Sequence, residues 1–293
     1  PSKPMAKRFL PDHGPADAKL GENFTPAHGD DPPTQYTADQ LLRAQALYDA
    51  EIRTVDDAIA EIYSKLEELG IQDDVVFAVV SDHGDHFGEE HEGKNHMFHH
   101  RTLYEEVVHV PVIIRAPGLA PQGQRVAGTM SLYDVGPTLL DLAGLDPWPG
   151  RGGQSARTLW EQPESNFVVN LDLVHPGEPT DIQGWREGAF KALWEHGWRN
   201  PRTGQRLKNE STRAFDLAKD PTEIQPISDL AGNALAERAM AAMRRLVESM
   251  PQAAKMEKLP DELEQGLKNT GYVESFGDTK GAGSESTTNE NGD

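Results

Sequence analysis

Residues 73–84 read DDVVFAVVSDHG, a continuous apolar run that ends in an aspartate, a histidine and a glycine. The run is too short for a helix and follows a long amphipathic segment, so it predicts a central parallel strand that is covered on both faces. Functional groups in open α/β sheets collect just beyond the carboxyl ends of strands. Asp82 and His83 stand at that point, and Gly84 permits a tight turn. Carboxylate and imidazole side by side therefore predict a divalent-metal site.

The sequence on either side of this strand predicts an α/β fold. Upstream, apolar residues recur at spacings near 3.6 from Leu42 to Leu69, with Thr37 or Asp39 as the N-cap and Gly70 as the stop. Downstream, VPVIIRAPG predicts a second buried strand and SLYDVGPTLLDLAGL predicts a short helix. Helices that alternate with apolar strands are typical of an α/β sheet.

The pattern changes after residue 150. NFVVNLDLV, REGAFKALWEHGW and TRAFDLA predict short strands of a small antiparallel sheet, and NALAERAMAAMRRLVESM predicts a closing helix. We therefore expect an irregular segment at 1–37, an α/β layer at 38–150, the antiparallel-sheet subdomain with its helix at 151–252, and a mostly disordered acidic tail at 253–293.

Composition excludes several classes of function. The formal net charge of −20 disfavours a nucleic-acid partner, whose phosphates would be repelled. No apolar run approaches the roughly 20 residues that a membrane helix needs. The chain has no cysteine, so it has no disulfide and no thiol chemistry. It also has no signal-peptide pattern at its start.

The histidines are concentrated in one region. We expect His86 and His91, which are flanked by acids, to be solvated loop residues. The NHMFHH group is explained equally well by a functional site and by a histidine-rich surface loop that binds metal only adventitiously. Asp82 could simply cap the turn after its strand. Six of the chain's eleven histidines lie between residues 75 and 100: His83, His86, His91, His96, His99 and His100.

Several motifs in order resemble the C-terminal half of a sulfatase, in the arylsulfatase-like branch of the alkaline phosphatase superfamily. They are YDAEIRTVDDAIAEIYSKLEELGIQDDVVFAVVSDHGDHFGEE, LYEEVVHVPVIIRAPG and SLYDVGPTLLDLAGL, and the likeness continues through REGAFKALWE and TRAFDLAKDPTEIQPISDL. It covers roughly residues 40 to 250. The resemblance implies an alkaline-phosphatase-like mixed or parallel sheet flanked by helices, with a small antiparallel C-terminal subdomain.

The same resemblance implies a set of site residues. Asp82 and His83 match the family's ligands of the active-site cation, for which Ca²⁺ is expected and Mn²⁺ or Zn²⁺ are alternatives. His99 and His100 stand nearest the catalytic position that faces the sulfate group. The remaining candidates, for binding the substrate, are Lys94 and His96.

The family's nucleophile is a formylglycine made within a Cys/Ser-x-Pro-x-Arg motif, and this sequence contains no such motif. We therefore expect the C-terminal part of a metal-dependent sulfatase, inactive alone, whose nucleophile lies in an absent N-terminal half. Its partner would be a small anionic sulfate ester. His83, where many sulfatases have asparagine, keeps open a phosphate or phosphonate ester hydrolase or a phosphoglycerol transferase. A non-catalytic metal-binding pseudoenzyme is the third interpretation. The resemblance slightly favours a periplasmic or extracellular location, and the oligomeric state is not readable.

Overall fold

The computed structural model describes residues 8–9, 36–99, 102–150, 152–162, 166–173, 182–195 and 210–249. The predicted tail at 253–293 and nearly all of the predicted irregular segment at 1–37 lie outside these ranges. The chain divides into two units, residues 1–247 and 248–293, and every contact discussed below lies within the first. Within the described ranges, none of the helices is long and apolar enough to cross a membrane.

Helix α1 (Ala38–Glu68) is the long amphipathic helix that the sequence predicts. Of the two candidate N-caps, Thr37 is the one used, because its hydroxyl accepts from the backbone of Gln40 while the Gln40 side chain accepts from the backbone of Thr37. Gly70 follows the helix with a φ of 68°, as a C-terminal stop requires. Tyr48 and Tyr63 pack edge-on against aromatic rings of the strands described next.

Strands β1 (Phe77–Val80) and β4 (Val112–Arg115) are the two apolar strands, and they pair antiparallel, with Phe77 opposite Arg115. The strands are confirmed, but the predicted parallel pairing is wrong for this pair. Ile113 is 62% exposed, so the pair is also not covered on both faces by the described residues. A continuous apolar run carries no information on the direction of the neighbouring strand, which explains the error in the pairing.

The segment between these strands forms a hairpin. Strands β2 (His86–His91) and β3 (Lys94–Phe98) pair antiparallel around a turn in which Glu92 and Gly93 have φ values of 55° and 74°. A short helix α2 (Glu105–Val108) then precedes β4. The prediction that His86 and His91 are solvated loop residues is wrong, because they are 0% and 2% exposed. Their acidic neighbours suggested a surface, but the register shift between Phe87 and Glu90 interrupts the alternation of the strand and lets both rings turn to the buried side.

The second half of the described chain contains the predicted antiparallel sheet, with strand order β5-β6-β7-β8. A 3-10 turn (Leu132–Asp134) and helices α3 (Val135–Leu142) and α4 (Arg157–Glu161) lead into it. Helix α5 (Ala234–Ser249) closes this part. The strands are β5 (Val169–Leu173), β6 (Ile182–Glu187), β7 (Phe190–Glu195) and β8 (Ser211–Asp216).

Strand β7 is buried along its whole length, and its two faces contact different layers. Phe190, Ala192 and Trp194 pack with helix α5, while Leu193 packs with Leu103 and with the other residues of a second cluster. Alternation along the strand therefore puts helix α5 on one face and the segment before helix α2 on the other. This second contact joins the hairpin region to the C-terminal sheet and positions the site described below.

Candidate active site

The turn after strand β1 is held tightly against helix α2. The backbone N–H of Gly84 donates to the carbonyl of Val107 at 2.8 Å, and the Ser81 hydroxyl donates to the carbonyl of His83 at 2.7 Å. A Cβ added at Gly84 would collide with the carbonyl oxygen of Glu106. Glycine is therefore required here by the close approach of two backbones and not by a positive φ.

Three side chains come together beyond this turn. His83, Asp85 and His99 each offer one ligand atom, and these atoms lie within 4.8 Å of one another. The rings of His83 and His99 are 3.9 Å apart between centroids, tilted by 31°. All three residues are partly exposed, so the cluster is open to small molecules.

His83 has a defined orientation. Its Nδ1 lies 3.0 Å from the carbonyl oxygen of Gly84, and since a carbonyl only accepts, Nδ1 must carry the proton. In the neutral ring, Nε2 is then the atom with the lone pair, and Oδ2 of Asp82 lies 3.7 Å from it. The other carboxylate oxygen of Asp82 accepts from the His83 backbone N–H at 3.0 Å. Metal-ligating histidines use the same arrangement, in which one ring N–H donates to a carbonyl and the lone pair of the other ring nitrogen binds the metal.

His99 is paired with a carboxylate. Its Nδ1 lies 2.9 Å from Oδ1 of Asp85, fourteen residues away in the chain. A carboxylate accepts from Nδ1–H, so it fixes the tautomer and turns Nε2 into the acceptor of the neutral ring. Asp85 thereby orients His99 as a carboxylate orients a catalytic imidazole.

Tyr48 of helix α1 borders the two aspartates. Burial first, and then the negative charges of Asp85 and Asp82, raise the pKa of the Tyr48 phenol above its ordinary value. The phenol therefore stays protonated at neutral pH. Its ring packs edge-on against Phe87 at 5.0 Å, which connects helix α1 to the hairpin.

The other predicted site residues fall in different places. His96 lies on β3 beside the rings of His86 and His91, with centroid distances of 5.2 and 5.7 Å, so it belongs to a second histidine group. Lys94 begins β3, and its side chain lies outside the described part. His100 also lies outside the described residues.

Asp85 is the site residue that the sequence analysis missed. Its signal was available, because it follows His83 by two residues across a glycine turn that folds the chain back. Its partner His99 could not be assigned from spacing, since the hairpin of β2 and β3 brings the two together.

A buried ion-pair network supports helix α2 from behind. Lys191 of β7, whose side chain is 0% exposed, reaches Glu105 at 3.0 Å and Glu223 at 2.9 Å. Arg186 reaches the other oxygen of Glu105 at 2.5 Å. Burial alone would raise the pKa of Glu105, but Lys191 and Arg186 outweigh it and hold that pKa below its ordinary value. Burial raises the pKa of Glu223, against the opposing charge of Lys191.

Arg213 of β8 makes a second long-range link. It donates to the Tyr104 hydroxyl at 2.9 Å, pairs with Glu195 at 2.5 Å and contacts Glu92 in the hairpin turn. The ring of Tyr104 in turn stacks on His91 at 3.7 Å. The planar guanidinium therefore ties the C-terminal sheet to the hairpin that carries the histidines.

The donor set of the site fits a divalent cation. Asp82 and Asp85 provide carboxylate oxygens, and His83 provides an imidazole nitrogen, because its other nitrogen is already bonded to a carbonyl. Oxygen-rich coordination is typical of Ca²⁺, and added nitrogen ligands are typical of Mn²⁺ or Zn²⁺. The residues present are thus compatible with the cation inferred from the sequence.

Three comparisons with known proteins each find similarity to sulfatases. Residues 12–145 match the family model described as Sulfatase. Arylsulfatase K of Danio rerio is 33% identical over 200 residues, which cover 66% of this chain and 35% of that protein. Among solved structures, a 2-O GAG sulfatase superposes with a TM-score of 0.55 at 19% identity, covering 82% of this chain and 47% of the other.

The phosphonate monoester hydrolase of Agrobacterium radiobacter superposes with a TM-score of 0.54 at 22% identity, covering 78% of this chain and 46% of the other. The predicted alkaline-phosphatase-like α/β fold, with its antiparallel C-terminal sheet, is confirmed by these likenesses. The chain spans about a third of the length of the curated relatives that it matches.

Proposed function

We propose that this chain, which belongs to the sulfatase family, supplies part of the active site of a metal-dependent hydrolase of sulfate esters. The observation that carries the proposal is the cluster of His83, Asp85 and His99 beside Asp82, at the end of the strand where the sulfatase-like motif lies. The substrate proposed is a small anionic sulfate ester. Relatives named as arylsulfatases support this class of substrate and leave its organic part open.

Asp82 and His83 are the proposed cation ligands from this chain, with Asp85 within reach of the same position. A divalent cation, Ca²⁺ by resemblance and Mn²⁺ or Zn²⁺ as alternatives, would activate the nucleophile and offset the charge that develops on the sulfate group. The chain's own contribution is to hold a lone pair of His83 and the Asp82 carboxylate side by side on a turn that Gly84 fixes.

His99 is the proposed donor to the leaving oxygen. The Asp85 carboxylate orients its ring, and a protonated imidazole near an ester oxygen can give up a proton as the bond breaks. His100 is the alternative for this role, and Lys94 and His96 are candidates for holding the anionic group. The compact positive charge of these side chains is needed because a net charge of −20 repels an anion from the protein as a whole.

The nucleophile is proposed to come from protein sequence beyond this chain, as a formylglycine. Support comes from the absence of the nucleophile motif in this sequence and from exposed apolar residues on helix α1 and on strand β4. Ile52, Val55 and Ile62 of the helix are 55–56% exposed, and Ile113 of β4 is 62% exposed. Exposed apolar side chains that line one element are typical of a face that another part of a protein covers. The chain alone is therefore expected to be inactive.

The test is kinetic and uses the complete gene product that contains this chain. Asp82→Ala, His99→Ala and His100→Ala are compared on an aryl sulfate, with His109→Ala, whose side chain is 74% exposed, as the control. Asp82→Ala should abolish turnover. One of the two histidine variants should lower kcat/KM by about 10²-fold or more, as loss of a general acid does. Near-normal activity of Asp82→Ala would overturn the metal assignment.

A phosphate or phosphonate ester hydrolase, including a phosphoglycerol transferase, is the second candidate. His83, in place of the asparagine that many sulfatases carry, favours it, and the fold is shared with a phosphonate monoester hydrolase. Aryl sulfate, phosphate and phosphonate esters assayed side by side separate the two, since the preferred class has the highest kcat/KM. No turnover of any of them by the complete protein would favour the pseudoenzyme interpretation.

A further inference from the structure

Two buried histidines and a glutamate form a second cluster, distinct from the candidate active site. His86 and His91 stand at the two ends of strand β2 and are 0% and 2% exposed, and Glu106 lies in helix α2. One ligand atom from each of the three lies within 4.8 Å of the others. Small side-chain rotations would bring three such atoms to the about 2.1 Å that separates Zn²⁺ from its nitrogen and oxygen ligands.

The outer nitrogen of each ring is already bonded. Nε2 of His86 lies 2.7 Å from the Thr102 hydroxyl, and Nδ1 of His91 lies 3.4 Å from the carbonyl of Glu223. The carbonyl only accepts, so Nδ1 of His91 carries the proton and Nε2 has the lone pair in the neutral ring. A carbonyl partner of this kind fixes the tautomer of a metal-ligating histidine, whereas the Thr102 hydroxyl can either donate to His86 or accept from it.

The inner atoms of the cluster lack hydrogen-bond partners. They are Nδ1 of His86, Nε2 of His91 and Oε2 of Glu106, all buried. Nε2 of His91 lies 3.3 Å from Oε1 of Glu106, without the geometry of a hydrogen bond. Nδ1 of His86 lies 3.7 Å from Oε2 of Glu89. A lone pair that faces a carboxylate inside a protein is unfavourable, so a positive charge is required between them.

We propose that His86, His91 and Glu106 bind one transition-metal cation of the Zn²⁺ class. Two imidazoles and one carboxylate are a donor set that suits Zn²⁺ and leaves a fourth position for water, whereas Ca²⁺ and Mg²⁺ prefer oxygen ligands. The cation fastens the hairpin of β2 and β3 to helix α2, next to the turn that Gly84 holds. Its role is structural, and it is independent of the function proposed for Asp82 and His99.

The experiment must separate this site from the candidate active site. We use the full chain with His83→Ala and His99→Ala, which removes both imidazoles of the other cluster, and strip it of metal with a chelator. Zn²⁺ titrated into this protein by calorimetry should bind with one equivalent, and Co²⁺ should give visible absorption bands of a low-coordinate site. Zn²⁺ should also raise the melting temperature, because it binds the folded state.

Glu106→Gln and His91→Gln, each added to that background, should weaken Zn²⁺ binding by at least about 100-fold. Loss of a residue that only orients a ligand already lowers metal affinity by up to about 100-fold, so loss of a direct ligand should lower it at least as much. His109→Gln, an exposed histidine near the same helix, is the matched control and should leave the affinity unchanged. Circular dichroism of the metal-free proteins checks that each variant folds.

X-ray absorption at the zinc edge of the background protein gives a readout that needs no further variant. Scattering from two imidazoles in the first shell is expected. The proposal is overturned if the background protein binds no Zn²⁺ equivalent, if Glu106→Gln and His91→Gln keep the same affinity, or if the shell holds fewer than two imidazoles. In those cases a proton on His91 supplies the positive charge.

Discussion

Replacing Lys191 by methionine tests the buried network behind the candidate site. The substitution keeps most of the length of the side chain and removes a charge that Glu105 and Glu223 share, and the Glu223 side chain is 0% exposed. Breaking a buried ion pair by removing one partner costs about 3–5 kcal/mol. Arg186 still pairs with Glu105, so we expect the lower end, about 3 kcal/mol.

At about 2–4 °C per kcal/mol for a chain of this size class, the melting temperature should fall by about 6–12 °C, measured by circular dichroism. The matched control is Lys219→Met, because Lys219 is 83% exposed and pairs with Asp216 on the surface. The control should melt like the unchanged chain. If Lys191→Met also melted like the unchanged chain, the network would be contributing nothing to stability and the reasoning would be refuted.

The pH dependence of this variant has a definite sign. Without the lysine, burial holds the pKa of Glu223 further above its value in the unfolded chain. Between those two values the folded state binds more protons than the unfolded state, so the stability of the variant falls as pH rises. The deficit relative to the unchanged chain should therefore be smaller at about pH 5 than at about pH 8. Adding Glu223→Gln to Lys191→Met should recover part of the loss at the higher pH.

Two further substitutions test the turn and the long-range guanidinium link. Gly84→Ala places a methyl group against the carbonyl of Glu106 and should lower the free energy of unfolding, measured by chemical denaturation, by about 1–3 kcal/mol, as overpacking does. The control is Gly136→Ala in helix α3, where the added methyl group meets open space, and this variant should be neutral or slightly stabilised. Arg213→Lys removes the planar guanidinium that contacts the Tyr104 hydroxyl and two carboxylates, so it should lower the free energy of unfolding by about 1–3 kcal/mol. The control Arg238→Lys alters an exposed ion pair and should change the denaturation midpoint little. Equal midpoints for the two variants would contradict the role given to Arg213.

Local pattern was sufficient for helix α1, for strands β1 and β4 and for the C-terminal sheet, but not for the hairpin of β2 and β3. The 3.6-residue period and the capping residue Thr37 predicted helix α1, and the apolar run predicted strand β1 and the place of Asp82 and His83 at its end. Alternating and aromatic-rich segments predicted the antiparallel sheet. Each of these features depends on the side chains of one stretch of chain and on its local conformational preferences, so a single sequence contains the information.

Contacts between distant residues were decided only by the tertiary structure. Asp85 contacts His99 because the hairpin of β2 and β3 folds the chain back, although neither strand contains an apolar run or a β-branched residue. The same hairpin buries His86 and His91 among acidic residues. Lys191 reaches Glu105, 86 residues earlier, because strand β7 is covered on both faces. The direction of β4 against β1 was likewise beyond the apolar pattern. Such pairings depend on the packing free energy of many residues that are far apart in sequence. The local periodicity of side chains contains no information about these long-range contacts.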